Sequence, residues 1–348
     1  MHADFARLEQ EWGIHFEGAQ DYLPDEFRRN FALAMDAQPA MVTQSNSAIP
    51  AYLTQWVDPN IIKILVAPMK AAQIMGEVRK GDWLTDTAMF PVVERTGEVS
   101  SYGDFNNNGH VGSNVNWPQR QSYLYQTVTQ WGERELARMG LARINWAAQL
   151  NEASVLALNK FQNKSYFFGI SGLQNYGLLN DPGLSAPIQP GPKAFGTQAH
   201  GPWVTAGVVT ATANEIFTDI QSLFSVLVAQ SQGLVEMDTP MTLAMSPGSQ
   251  VALTATNAFN VNVADLLKKN FPSIRIETAV EYATAAGNVV QLIVDSVEGQ
   301  KTGDVAFNEK MRAHPIVVDM SAFKQKKTQG TWGAIIYQPF GIAQMLGV

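Results

Sequence analysis

Apolar residues along this 348-residue chain change their spacing several times, and each change marks a new element. Phe5, Leu8, Trp12 and Phe16 recur at helical spacing, and Pro24-Asp25-Glu26 then opens a second short helix carrying Phe27, Phe31 and Met35. Gln38 to Ser47 is polar and ends that pattern. Residues 1 to about 50 therefore read as an arm with few apolar positions of its own, to be packed on the body or on a neighbouring chain. An apolar run, Ile61 to Ala67, leads to a turn-rich connector at Gly76 to Asp86. Two alternating segments follow, Met89 to Val99 and Gln119 to Trp131. In the second, Tyr123, Tyr125, Thr127, Thr129 and Trp131 share one face of a strand, and Leu124 and Val128 the other. Between them, Tyr102 to His110 is dense in Asn and Gly, which tolerate left-handed backbone. Paired, the two segments form a long two-stranded flap with a polar tip. Such a flap is marginal alone in water and requires a partner surface.

From Gly132 to Phe161 the spacing becomes helical, with Leu136, Met139, Ile144, Ala147, Leu150, Leu158 and Phe161 on one stripe. A single spine helix over that range is roughly 45 Å long at about 1.5 Å per residue. Glu133 and Glu135 suit its positive first turn. After a Gly/Pro-rich stretch, Asp181 to Pro202, helix and strand alternate. Ala213 to Gln230 reads as helix, Met241 to Met245 as strand, Ser249 to Asn257 and Val263 to Asn270 as short helices, and Ile274 to Thr278 and Val289 to Asp295 as strands. This is a compact α/β unit inserted mid-chain. Strand character returns at Thr331 to Gln338.

Composition narrows the class. Hydrophobic residues make up 46% of the chain and charged ones only 16%, against roughly 25% in typical soluble domains, so much of the surface is neutral and suited to burial against copies of itself. Lys and Arg total 24 against 31 acids, a net charge of −7, which lacks the basic footprint of a dedicated nucleic-acid binder. A container for DNA is still allowed. There is no cysteine, so neither disulfides nor thiolate metal sites contribute. The first residues lack a signal-peptide core, and no window approaches the roughly 18 apolar residues of a membrane span. A soluble cytoplasmic product is expected.

The order of parts resembles the major capsid proteins of tailed phages with the Hong Kong 97 fold. The resemblance is carried by Tyr102-Gly103-Asp104-Phe105 before the flap's second strand and by the turn Gly177-Leu178-Leu179-Asn180-Asp181-Pro182-Gly183 after the spine. It implies an α+β fold: an N-terminal arm and start of the peripheral domain at 1–75, and an extended β-hairpin loop at 76–131. A spine-helix peripheral domain at 132–202, an α/β axial domain at 203–315 and return strands of the peripheral domain at 316–348 complete it. It also implies self-assembly as hexamers and pentamers into an icosahedral head around double-stranded DNA that is bound without sequence preference. Portal, scaffold and decoration proteins are further implied partners, with assembly in the host cytoplasm and no membrane. The founding type cross-links through a lysine in the flap, but no lysine lies between Gly81 and Asn159, so that route to covalent chainmail is not expected. Met1 falls at the arm, so a separate scaffold, or none, is expected.

No catalytic residue, cofactor or metal is called for. Asp104-Phe105-Asn106-Asn107-Asn108-Gly109 fits the opening of a calcium loop, yet the closing position holds Val115, and a self-satisfied Asx-turn tip is the stronger reading. Ser321-Ala322-Phe323-Lys324 and Lys301-Thr302-Gly303 match acyl-enzyme motifs in reversed order with no Ser-Asp-Asn. Gly299 to Thr302 lacks phosphate-loop spacing and reads as a surface hairpin. The five histidines show no i, i+4 pair. Arg134, Arg138 and Arg143 on the spine are candidates to face packaged DNA, as the resemblance implies. Pairing with Glu133, Glu135 or Glu152 is the stronger reading. Trp117, Tyr123, Tyr125 and Trp131 are the candidate intersubunit contacts, by aromatic burial on a neighbour; the alternative places the two tryptophans in the core at the flap base. The rival functions are a cellular nanocompartment shell of the encapsulin kind and a Ser/Lys acyl-transfer enzyme using Ser321 and Lys324.

Overall fold

The computed structural model describes residues 68–141, 145–194 and 200–348; the expected arm and the run Ile61 to Ala67 lie outside them. Chain contacts define two compact units. The larger holds Met69–Glu135 and Ala147–Val348 and is described below, and the described residues of the other are Pro68, Leu136–Leu141 and Asn145–Trp146. In chain order the main elements are α1 (Ala71–Met75), β1 (Glu77–Arg79), β2 (Thr87–Met89), β3 (Val92–Gly97), β4 (Val111–Asn116), β5 (Gln119–Gln121), β6 (Tyr123–Gly132), α2 (Glu133–Leu141) and α3 (Trp146–Phe168). Then come α4 (Ala213–Gln230), β7 (Met241–Met245), α5 (Pro247–Gln250), α6 (Val263–Asn270), β8 (Ile274–Thr278) and β9 (Gly287–Val294). The chain closes with β10 (Gly303–Phe307), β11 (Val317–Asp319), β12 (Ala322–Thr331), β13 (Gly333–Ile336) and β14 (Ile342–Leu346).

The α/β unit forms where the sequence places it. Its sheet runs β8-β7-β9-β14, with β8 and β7 parallel and the other pairs antiparallel. All five residues of β7 are buried, as befits a central strand covered on both faces. On one face Ile216, Ile220, Leu223 and Leu227 of α4 and Val263 and Leu267 of α6 pack against Met241, Leu243, Met245, Leu292 and Val294. On the other, Tyr166, Phe167, Leu178 and Tyr282 pack with Ala244, Ile293 and Ile342. Each fully buried Val, Leu, Ile, Phe or Met among them contributes about 1.5–3 kcal/mol. The helix starts follow from local chemistry. Thr212 caps α4 in a reciprocal box with Glu215, and the Asn262 side chain accepts from Asp265 N at 2.7 Å to cap α6. The stretch Gly299 to Thr302 is a hairpin, Ser296–Val297 pairing with Gln300–Lys301 across Glu298 and Gly299, both at positive φ.

The expected spine is two helices, not one: α2 ends at Leu141 and α3 begins at Trp146, while Gly132 belongs to β6. α3 also runs past Phe161 to Phe168, because the face it buries there is polar. Gln162, Asn163 and Ser165 are all buried, and they hydrogen-bond to one another and to Tyr166, Gln329, Thr331, Glu281 and Ala71 N. The last four carbonyls of α3 are all answered: Ser165 O by Gly169 N, Tyr166 O by Leu178 N, Phe167 O by Leu179 N, and Phe168 O by Asn180 Nδ2 at 2.7 Å. The Gly177-to-Gly183 turn is thus the C-terminal cap of α3.

Glu281 accepts from Asn163 Nδ2 through Oε1, but its Oε2 is buried without a partner. Burial raises its carboxyl above the usual range, against opposing donation from its own backbone and Asn163. A carboxyl raised in the folded state stabilises at pH below its unfolded value, and that stability is lost as pH rises through its folded value. Glu281→Gln keeps an acceptor for Asn163 but carries no charge for burial to penalise, so it should raise stability at neutral pH and give no gain near pH 4, where the carboxyl is itself protonated. Denaturant midpoints at the two pH values check this.

Candidate assembly surfaces

The flap is a hairpin in two ladders. β2 pairs with β5 at the base and β3 with β4 beyond it. Pro91 and Pro118 fall in the gap between the ladders, where a single bond, Phe90 N to Pro118 O at 3.1 Å, crosses. The second strand of the flap is therefore Val111 to Gln121, and the expectation that Gln119 to Trp131 forms it is corrected. β6 instead pairs along its whole length with β12, from Ala322 opposite Gly132 to Thr331 opposite Tyr123. Alternation shows that a segment is a strand but not which strand it meets.

Every residue of β3 and β4 is exposed. Directly paired residues share a face, so Val93, Val115 and Val111 lie together with Arg95 and Ser113, while Glu94, Thr96, Asn114 and Asn116 lie opposite with Val92. The ribbon is amphipathic, and its apolar face is uncovered within this chain. At the tip, Asn106 Oδ1 accepts from Asn108 N, Asn106 Nδ2 donates to Ser101 O, and the Tyr102 hydroxyl donates to Asp104 Oδ1 at 2.7 Å. The Asx turn thus uses the oxygens that a calcium loop would require, while Tyr102 and Phe105 point into solvent.

The base is held by residues that sequence reading passed over. Arg120 Nη2 meets Asp181 Oδ2 at 2.8 Å in a mostly buried pair, and its guanidinium lies 4.8 Å from the Tyr176 ring centre. Asn175 Nδ2 donates to both Gln121 O and Thr331 O, and Gln121 N to Gln174 O. The cap of α3 is therefore also the socket of the flap. The available signal was a rigid turn carrying an acid, Asp181, with no obvious partner nearby in sequence.

The named aromatic residues divide. Trp117 is exposed, with Tyr123 exposed and Tyr125 half-buried, and both tyrosines lie beside Phe161 of α3. Trp131 is 6% exposed and stacks on Phe323 across the β6–β12 ladder, so it is a core residue of the ribbon with little surface left for a neighbour. Burial pushes the Tyr125 and Tyr166 hydroxyls up, aided by Glu77, which accepts from Tyr166 at 3.0 Å. Arg134 and Arg138 are exposed one turn apart on α2, and Arg143 lies outside the described residues. Ser321 sits in the turn before β12, where its carbonyl accepts from Glu133 N. Lys324 Nζ is bonded to Asp319, and among the described residues no side chain is hydrogen-bonded to the Ser321 hydroxyl.

A fold of this kind has a long exposed ribbon, a helix-and-ribbon body and a compact α/β unit. A family described as the Pa193 gp26 major capsid protein matches residues 40–347. This chain belongs to that family. Among solved structures, the capsid of Myoviridae phage XM1 superposes with a TM-score of 0.70 at 14% identity, covering 87% of this capsid protein and 100% of that chain. The capsid of the native GTA particle follows at 0.58, 12% identity and 87% and 99% coverage. Microbacterium phage Oxtober96 gives 0.57, 11% identity and 92% and 99% coverage. No curated protein matches. At such identities the likeness establishes the fold, the Hong Kong 97-like α+β architecture, and family membership establishes a phage major capsid protein. This capsid protein is accordingly a structural component of the virion. No helix among its described residues is long and apolar enough to cross a membrane.

Proposed function

We propose that this capsid protein assembles as hexamers and pentamers into an icosahedral head enclosing double-stranded DNA, in a role that needs no catalytic residue or cofactor. The observation that carries the reading is the flap, whose apolar stripe of Val93, Val111 and Val115 is 50–86% exposed on a ribbon that buries none of β3 or β4. Laid on an adjacent copy, that face gains the burial its own chain does not provide. With it goes the domain assignment: N-terminal arm and start of the peripheral domain at 1–75, extended loop at 76–131, the rest of the peripheral domain at 132–202 and 316–348, and axial domain at 203–315. Trp117, Tyr123 and Tyr125 contribute to contacts between copies. Arg134, Arg138 and Arg143 are the candidates to face the packaged DNA, touching phosphate only, with pairing to Glu133, Glu135 or Glu152 the stronger reading. The net charge of −7 limits adhesion of the genome to the wall. Portal, scaffold and decoration proteins are the further partners, and assembly takes place in the host cytoplasm. The match to a phage major capsid protein favours a head over a cellular compartment shell of the same fold.

Replacing Glu94–Asn114 by a two-residue Asn-Gly turn tests this. The variant should keep its unfolding midpoint within about 1 kcal/mol of the parent, because the removed segment is exposed on both faces. It should also form no closed shells under conditions where the parent does, by sedimentation and negative-stain microscopy. Closed shells from the shortened chain would overturn the role given to the flap.

A further inference from the structure

Two apolar protrusions lie at opposite ends of the α/β unit. The first is the loop before α6, where Phe259 is 86% exposed. This loop is held rigidly: Asn257 Oδ1 accepts from Phe259 N at 2.9 Å and Val261 N at 3.1 Å, Asn257 N donates to Val261 O, and Asn260 N donates to Asn257 O. Thr256 and Asn262 close it as a bridge. The second is the turn after α4, where Leu234 is 52% and Met237 56% exposed. Buried Val235 pins that turn to the core. Leu234 N to Ser231 O, Val235 N to Ser231 Oγ and Thr239 N to Glu236 O brace it.

The register places them. Ile274 pairs with Met241 and Thr278 with Met245, in parallel. α6 ends at Asn270, just before Ile274, so it runs back along β7 and its own start, with the Phe259 loop, sits at the Met245 end. Met237 lies four residues before Met241, at the other end. Between Ala229 and Val263 the only charged residues are Glu236 and Asp238, which flank Met237 at the rim of the second patch; the rest of the stretch, with the Phe259 loop, is free of charge as an interface core is.

We propose that Phe259 of one copy seats against the Leu234–Met237 turn of the next, head to tail, so that the α/β units close a ring. This rests on the shell-subunit reading above and names the contact within it. A projecting group at one end and a different apolar patch at the other give a heterologous contact, the kind that generates closed rings when the rotation is right. A rigid loop ending in an exposed aromatic loses little freedom on docking, as an interface anchor requires.

Because the chain has no cysteine, introduced thiols report this contact without background. Phe259→Cys combined with Met237→Cys should, on mild oxidation of assembled particles, give a non-reducing ladder of multimers ending in a closed ring. Either single variant should give none. Phe259→Asp should lose rings in sedimentation while keeping the parent unfolding midpoint, since the side chain is exposed. Shells that form but yield no ladder from the double variant would overturn the contact and leave the shell reading standing. Dimers from Phe259→Cys alone would show the loops meeting one another and also overturn it. A parent that forms no assembly even when produced together with the other head proteins of its phage overturns both readings.

Discussion

Asp219→Ala is expected to destabilise the protein by about 3–5 kcal/mol, the cost of removing one partner from a buried ion pair. Asp219, on α4, accepts from Lys193 Nζ at 2.5 Å, Trp203 Nε1 at 2.7 Å and Gly191 N at 2.9 Å. The Lys193 and Asp219 side chains are only 2% and 4% exposed. Alanine leaves a buried ammonium with Gly191 O as its remaining acceptor among the described residues, and strips an acceptor each from Gly191 N and Trp203 Nε1. Chemical denaturation should show a lower midpoint. Asp219→Asn, whose single oxygen can take the Oδ2 place and accept from Trp203 and Lys193 but not also from Gly191, should lose less, and adding Lys193→Met to Asp219→Ala should recover part of the loss. A midpoint unchanged by Asp219→Ala would show that the pair does not hold the 191–203 segment to α4.

Gly177→Ala should be comparably damaging, about 4 kcal/mol or more, the range reserved for severe steric conflict. A Cβ at Gly177 would sit 2.2 Å from Phe167 C and O and 2.3 Å from Phe168 N. All three atoms are backbone of the last turn of α3, and none can rotate aside. Relief requires lifting the turn off the helix, which would also strip Leu178 N and Leu179 N from the carbonyls they serve. Gly172 gives the control: its φ is +86° but nothing lies within 4 Å of its Cβ, so Gly172→Ala should cost only about 1–2 kcal/mol. Thermal melts of the two variants should separate clearly, and similar losses would rule out the close approach as the cause.

Sequence legibility followed locality. Ala213 to Gln230, Met241 to Met245, Val263 to Asn270 and Ile274 to Thr278 are found at those boundaries, because caps such as Thr212 with Glu215, and buried runs such as β7, are written within a few residues. The partner of β6 is not local: Phe323 lies opposite Trp131 across nearly two hundred residues, and alternation in either strand is silent about the other. The length of α3 was hidden for a different reason. Its last turns bury Gln162, Asn163 and Ser165, so an apolar stripe could not reveal them. Of the candidate site, the flap and its polar tip were visible as composition. The Arg120–Asp181 socket was not, since it depends on a strand and a distant turn meeting in space.

The two prolines between the flap's ladders have a mechanical consequence. A continuous ribbon resists bending along its whole length, whereas this one concentrates its compliance at Pro91 and Pro118, beside a base clamped by Arg120. The outer ladder, six residues at about 3.4 Å, is a lever roughly 20 Å long. A pivot of about 10° at the prolines then sweeps the tip through roughly 3–4 Å while the core stays still. Differences in local curvature from one position on a shell to another can thus be absorbed at a single hinge, and the same folded body can serve at all of them.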